Sequence, residues 1–156
     1  MTTTPLLFLL DTNVLVHFVR ADAVWTRIRT RYQLFAAEPR PLVSIVTAGE
    51  LRSLALQFNW GKAKLDQMEF CLGYFDQIPI ETTQLAETYA VIDAHFQSKG
   101  QPLGKNDLWI AATASATGAR LLTTDHDFDP LDPLFLSRDW IDPSADLPAV
   151  APGDSR

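Results

Sequence analysis

The stretch "FLLDTNVLVHF", residues 8–18, decides how the chain is read. An apolar run ends on a bare carboxylate, Asp11, and apolar residues then resume at a different spacing. The run "LLFLL" (6–10) is short, continuous and apolar, the pattern of a strand buried on both faces. Val14, Leu15 and Phe18 follow at helical spacing. A buried strand that ends on an acid and turns into a helix leaves that acid at the rim of the core. There it either caps the helix or awaits a cation.

Working outward, similar units recur. A helical stretch covers 22–37 through Val24, Ile28, Leu34 and Phe35, and "PLVSIVT" (41–47) is a second β-branched strand. Leu51, Leu54, Ala55 and Phe58, then Leu65, Met68, Leu72 and Phe75, predict a helical hairpin broken at "NWGK". "QIPIE" (77–81) is a weak strand, and Leu85, Tyr89, Ile92 and Phe96 define a helix that Gly100 ends. "DLWIAATASATG" is an apolar, Ala-rich helix closed by Gly118, "ARLLTT" (119–124) is another buried strand, and "LFLS" (134–137) is one more candidate. Short apolar strands alternating with helices predict an α/β fold, with a mostly parallel central sheet flanked by helices on both faces.

The 156 residues, 47% of them hydrophobic, suit one domain with a sizeable core. That domain is expected over 1–141, and the Pro/Asp-rich tail 142–156 is expected to be disordered. No apolar run reaches the roughly 20 residues of a membrane helix, and "MTTTPLLFLL" lacks the basic start of a signal peptide. A single cysteine, Cys71 in "EFCLGYF", excludes an internal disulfide framework. It reads as a core residue and fits a cytoplasmic location.

The net charge of −6 argues against a nucleic-acid partner until its distribution is considered. Residues 20–64 hold eight basic residues against three acids, a local balance of +5, whereas residues 65–156 hold five against 15. A basic region sits near the front of an acidic chain, either as a solvated helix or as a place to hold phosphates.

In open α/β sheets ligands bind outside the carboxyl ends of the strands. Asp11 follows the first strand, Glu50 the second, Asp125 follows "RLLTT", and Asp107 opens the helix leading into that strand. Each acid has an ordinary structural reading. Asp11 can cap a helix, and "TAGE" places Glu50 in a capping box with Thr47. Asp107 suits a helix first turn, and Asp125 a turn. Four acids at one rim repel one another unless protons or cations intervene, and hard divalent ions such as Mg²⁺ or Mn²⁺ take carboxylate oxygens.

With those residues assembled, the chain resembles a PIN-domain ribonuclease of the VapC toxin type over roughly 7–137. "LDTNVLVHF" resembles the family's first motif, "TAGELRSL" the second, and "NDLWIAATA" with "LLTTDHDF" the third and fourth, in the family's order. The resemblance implies an endoribonuclease toxin that hydrolyses RNA phosphodiester bonds with one or two Mg²⁺ or Mn²⁺ ions, leaving a 5′-phosphate and a 3′-hydroxyl. It implies Asp11, Glu50, Asp107 and Asp125 as catalytic, metal-holding acids. Asn13 would orient Asp11 or a water, and Thr124 would lend a hydroxyl. "DHDFD" also offers Asp127 as the alternative fourth acid. Partners implied are an RNA substrate, a cognate antitoxin protein and a second copy in a homodimer, with no membrane. The apolar residues of the 47–75 hairpin are candidates for contact with the antitoxin.

Two other classes compete. A catalytically silent PIN-like domain would bind RNA or a protein without cutting. An acid-cluster phosphatase would use strand-end aspartates for phosphoryl transfer, but "DTNV" lacks the second acid of a "DxD" pair. His17, His95 and His126 have no triad partners at suitable spacing, and no Gly-rich phosphate loop is present. His17 and His95 read as helix-face residues, the latter solvated, while His126 lies near the site.

Overall fold

The computed structural model describes residues 5–144. Twelve elements follow one another: β1 (Phe8–Leu10), α1 (Thr12–Arg20), α2 (Ala23–Tyr32), β2 (Leu42–Ser44), α3 (Ile45–Gln57), α4 (Lys62–Tyr74), β3 (Asp76–Ile78), α5 (Thr83–Ser98), α6 (Lys105–Thr117), β4 (Arg120–Thr123), a 3₁₀ helix (His126–Leu131) and β5 (Ser137–Trp140). The strands form one sheet in the order β3-β2-β1-β4-β5, every pairing parallel. The α/β expectation therefore holds, with an entirely parallel sheet. The expected tail lies outside the described residues beyond residue 144. No helix among the described residues is long and apolar enough to cross a membrane.

The pleat of β1 divides the core in two. Phe8 and Leu10 face a cluster built by α1, α2 and α4, with Val14, Phe18, Trp25, Ile28, Met68 and Leu72. Leu9 faces the other side, where Ile92 and Phe96 of α5 and Leu108 and Ile110 of α6 pack. Adjacent strands keep the alternation, since Leu122 joins the first cluster and Leu121 the second. A central strand with both faces covered has no polar position to spare, which is why β1 and β4 read as unbroken apolar runs. Cys71 is fully buried in the first cluster, as expected.

Several boundaries differ from the expectation. The second strand stops at Ser44, and α3 starts at Ile45 inside the predicted 41–47 strand. Ser44 is the N-cap, its Oγ accepting from the Val46 amide at 3.1 Å, so Thr47 is a helical residue and "TAGE" is no capping box. The helix predicted over 22–37 ends at Tyr32. β3 is Asp76–Ile78 rather than 77–81, and β5 begins where the 134–137 candidate ends. Both are edge strands, "DQI" and "SRDW", with polar sequences suited to an exposed border.

β5 is held by charge as well as by its ladder. Arg120 Nη1 donates to Asp139 Oδ1 at 2.9 Å across the β4–β5 pair, and the Tyr32 hydroxyl donates to Asp139 Oδ2 at 2.8 Å. That network ties α2 to the sheet border.

Candidate active site

The strand order runs outward from β1 in both directions, through β2 on one side and β4 on the other. The crevice between β1 and β4 is thus the topological switch point, where the connections diverge and leave a gap above the strand ends. Asp11 follows β1 and Asp125 lies just past β4, one on each side of that gap.

Asp11 is 3% exposed, and its environment explains how a carboxylate survives there. Its amide continues the sheet by donating to Leu122 O at 3.0 Å. Its side chain accepts from the Thr12 amide at 2.8 Å through Oδ1 and from the Thr123 hydroxyl at 2.7 Å through Oδ2. It is therefore the N-cap of α1, so the ordinary reading of Asp11 is also true. Capping does not balance the burial. Desolvation pushes its carboxyl up to about 7, against the two hydrogen bonds, and the charges of Asp107 and Asp125 add to the rise.

Asp107 occupies the first turn of α6, where the helix dipole favours an anion. Burial outweighs that benefit: together with Asp125, Asp127 and Glu50 it raises the Asp107 carboxyl to about 6. Asp125 caps the 3₁₀ helix by accepting from the Asp127 amide at 2.9 Å. Its own amide donates to Thr123 Oγ1 at 2.9 Å. One hydroxyl thus accepts from the Asp125 backbone and donates to Asp11, fixing both acids against the end of β4.

Glu50 is in the second turn of α3 because the helix starts early, at Ile45. Thr12 Oγ1 donates to Glu50 Oε1 at 2.7 Å and lies 3.1 Å from Thr47 Oγ1. Thr12 has one hydroxyl proton, so Thr47 is the donor in the second contact. This threonine pair pins the Glu50 carboxylate to the start of α1.

Asp11, Asn13, Glu50, Asp107 and Asp125 line one cavity of about 250 Å³. Oxygens of Asp107, Asp125 and Asp127 lie within 4.8 Å of one another. Both Asp125 and Asp127, offered as alternatives for the fourth acid, reach Asp107. Asp11 and Glu50 stand outside this triplet, on the wall of the cavity. The two hydrogen bonds on the Asp11 carboxylate come from Thr12 and Thr123 rather than from Asn13, which shares the cavity wall. The hydroxyl bonded to Asp11 belongs to Thr123. Thr124 instead offers its carbonyl to Trp140 Nε1 at 3.0 Å.

The sequence reading names neither Thr12 nor Thr123 as a partner of the acids, and names Thr47 only as a capping residue. A hydroxyl beside a strand-end acid, as in "DT" and "TTD", was the available signal. The histidines stay out of the cavity. His126 stacks on Trp140 with ring centroids 4.1 Å apart and binds Asp129 through Nδ1 at 2.8 Å. His17 pairs with Asp22 at 2.6 Å, and His95 packs edge-on against Phe135 instead of standing in solvent.

The donor set suits a hard divalent ion. It is all oxygen, and ligands on opposite sides of such an ion, each at roughly 2.1–2.5 Å, stand about 4–5 Å apart, which matches the triplet. The raised carboxyls of Asp11 and Asp107 mark a site where positive charge relieves a real penalty.

A parallel α/β sheet carrying an oxygen-only acid cluster at its switch point defines the class of fold to be compared. Comparison with known proteins names the family. Residues 8–132 match the PIN domain family model, and the chain belongs to the PIN-domain family, grouping with its VapC members. It is 34% identical over 88 residues to Ribonuclease VapC4 of Mycobacterium tuberculosis, covering 55% of this chain and 67% of that relative. Among solved structures it is similar to VapBC2 from Rickettsia felis bound to a promoter DNA fragment (TM-score 0.73, 19% identity, 88% of this chain and 100% of that one). It is also similar to FitAcB from Neisseria gonorrhoeae (TM-score 0.67, 25% identity, 84% and 95%). A third likeness is VapBC-5 from Mycobacterium tuberculosis (TM-score 0.64, 25% identity, 88% and 98%).

Proposed function

We propose that this protein is a divalent-metal-dependent endoribonuclease toxin, restrained by a cognate antitoxin. The observation that carries the reading is the convergence of Asp107, Asp125 and Asp127 within 4.8 Å, beside a cavity also walled by Asp11 and Glu50. The relative Ribonuclease VapC4 supports RNA as the substrate, and the toxin–antitoxin complexes among the similar structures support a protein inhibitor.

Asp107, Asp125 and Asp127 would hold the ion, with Asp11 beside them. When bound, Mg²⁺ or Mn²⁺ supplies Lewis-acid charge for the phosphate and acidifies water. The remaining work falls to the protein. Thr123 and the Thr12 amide hold Asp11 in one orientation. Thr12 engages Glu50 Oε1, which leaves Oε2 to take a proton from an attacking water or to bind a second ion. No side chain is required as a covalent nucleophile, in keeping with the absence of a histidine from the cavity lining.

Incubating the purified protein with structured RNA, with Mn²⁺ or with EDTA, tests the reading. Cutting is expected with Mn²⁺, is abolished by EDTA, and disappears in Asp11→Asn. RNA binding without metal-dependent cutting would favour the silent PIN-like alternative.

A further inference from the structure

The acid cavity continues beyond the acids. Val16 of α1 and Leu54 of α3, part of its wall, also line a neighbouring depression of about 330 Å³ completed by Arg20, Phe58, Trp60 and Lys64. It also shares Thr12, Glu50 and Leu54 with a depression of about 510 Å³ that includes Ser53, Gln57 and Asn106. The three adjoin at Leu54, which lines all of them, and together form a groove with polar, acidic and basic parts.

The basic part is selective. Of the eight basic residues in 20–64, Arg52 and Lys62 are held in ion pairs with Glu69 and Asp66. Arg27 donates to the carbonyl of Asp142, and Arg29, Arg31 and Arg40 lie over the rings of Phe35, Tyr32 and Tyr74. Arg20 has neither kind of partner among the described residues, and Lys64 has only the longest of these ring contacts, its Nζ 6.0 Å from the Trp60 centroid. Both are exposed, and neither is held in an ion pair among the described residues, although the charge of Arg20 is felt by Asp22. These two alone of the eight line the groove.

The aromatics beside them differ: Phe58 is open, whereas Trp60 packs partly against the first core cluster. Phe58 is 69% exposed, contributing little to the core. Trp60 is partly buried, with Lys64 Nζ 6.0 Å from its ring centroid. Exposed cations next to an exposed aromatic ring are what an unpaired nucleic-acid strand uses, phosphates taking the charges and bases the rings. An apolar peptide has no use for the two cations.

We propose that Arg20, Phe58, Trp60 and Lys64 form a subsite for single-stranded RNA next to the scissile phosphate, the cations holding backbone phosphates and the rings stacking a base. This inference rests on the nuclease reading above and names the chain segment that delivers the strand to the acids.

The test is fluorescence anisotropy with a fluorescein-labelled single-stranded oligoribonucleotide and Mn²⁺, in the Asp11→Asn background so that the strand stays intact. Arg20→Ala and Lys64→Ala are each expected to raise Kd by about 3- to 10-fold and to lower the slope of log affinity against log salt by about 0.7. Phe58→Ala is expected to raise Kd about 5-fold or more without changing that slope. Lys99→Ala, the same loss of charge outside the groove, is expected to leave both unchanged. With Asp11 intact, the groove substitutions are expected to raise KM for cleavage by similar factors with kcat nearly preserved. Arg20, Phe58, Lys64 and Lys99 are exposed, and melting curves verify folding of each variant and of the Asp11→Asn background. If the wild type cuts RNA with Mn²⁺ while these variants bind and cut as it does, the subsite is wrong and the nuclease reading stands. A wild type that neither binds nor cuts RNA overturns both.

Discussion

Thr123 Oγ1 donates a 2.7 Å hydrogen bond to Asp11 Oδ2 across 112 residues of sequence, and the same oxygen accepts from the Asp125 amide at 2.9 Å. A single hydroxyl therefore sets the positions of acids from two strands. Thr123→Val removes both bonds while keeping the shape and β-propensity of the residue. Stability is expected to fall by about 1–3 kcal/mol, because a buried acceptor loses its donor. Mn²⁺ affinity is expected to fall about 10- to 100-fold, as when partners of metal-holding residues are removed. Calorimetric titration and thermal melts measure the two effects, and Thr123→Ser should recover most of each. The same swap at Thr124, whose carbonyl is the engaged group, costs less. Equal losses at the two positions would refute the assignment.

The pH dependence follows from burial. Asp11 is raised from 3.8 to about 7 by desolvation, and Asp107 to about 6 chiefly by desolvation and then by Asp125. Between pH 4 and pH 7 the folded protein thus holds protons that the unfolded chain has released, so these groups make stability fall as pH rises through that window. A divalent ion competes for the same oxygens, so its affinity rises over the same window and so does its stabilising effect. In EDTA, thermal melts are expected to show this contribution as greater stability at pH 5.5 than at pH 8. Mn²⁺ should shift the melt upward more at pH 8. Asp11→Asn should flatten the EDTA dependence, and an unchanged slope in that variant would remove Asp11 as its source.

Asp125 and Asp127 are separable by charge removal. Both reach Asp107, but Asp125 lines the cavity and caps the 3₁₀ helix, while Asp127 is exposed. Asparagine can still accept the capping bond, so Asp125→Asn mainly removes charge. It is expected to weaken Mn²⁺ binding by roughly 100-fold, against roughly 10-fold for Asp127→Asn, whose charge is partly screened by solvent. Calorimetry on the two variants ranks them, and a larger loss at Asp127 would reverse their roles.

What the sequence revealed, and what it hid, follows from which faces each residue uses. β1 and β4 are covered on both sides, so "FLL" and "RLLT" announced themselves, and the acids beyond them could be placed at one rim. β3 and β5 are borders with polar side chains, and an apolar-run criterion misplaces them. At 45–47 local preference and tertiary structure disagree. Ile45, Val46 and Thr47 are β-branched and suit a strand, yet Ser44 caps a helix that begins there. The capping-box reading of Glu50 failed for that reason. The threonines that hold the acids were hidden because a hydrogen bond spanning tens of residues leaves no local pattern.

The link between Thr12 and Glu50 offers a test of Glu50 that does not alter the acid itself. Thr12 Oγ1 donates to Glu50 Oε1 at 2.7 Å, and Thr47 Oγ1 is 3.1 Å from the same hydroxyl. Thr12→Val leaves the Thr12 amide on Asp11 in place while releasing Glu50 from its tether. If Glu50 acts by accepting a proton from water, its orientation matters in the transition state more than in the metal-bound ground state. Cleavage kcat is then expected to fall about 10-fold with Mn²⁺ affinity changed less than about 3-fold, since a loosened base loses part of a general-base contribution of about 10²–10⁴. Glu50→Gln, which keeps the hydrogen bond and removes the base, should cost more in kcat than Thr12→Val. If instead Glu50 serves mainly to hold a second ion, both variants lower metal affinity together with kcat. Rates measured at saturating and limiting Mn²⁺ separate the two roles, because saturation restores the rate only where the loss lies in binding the ion.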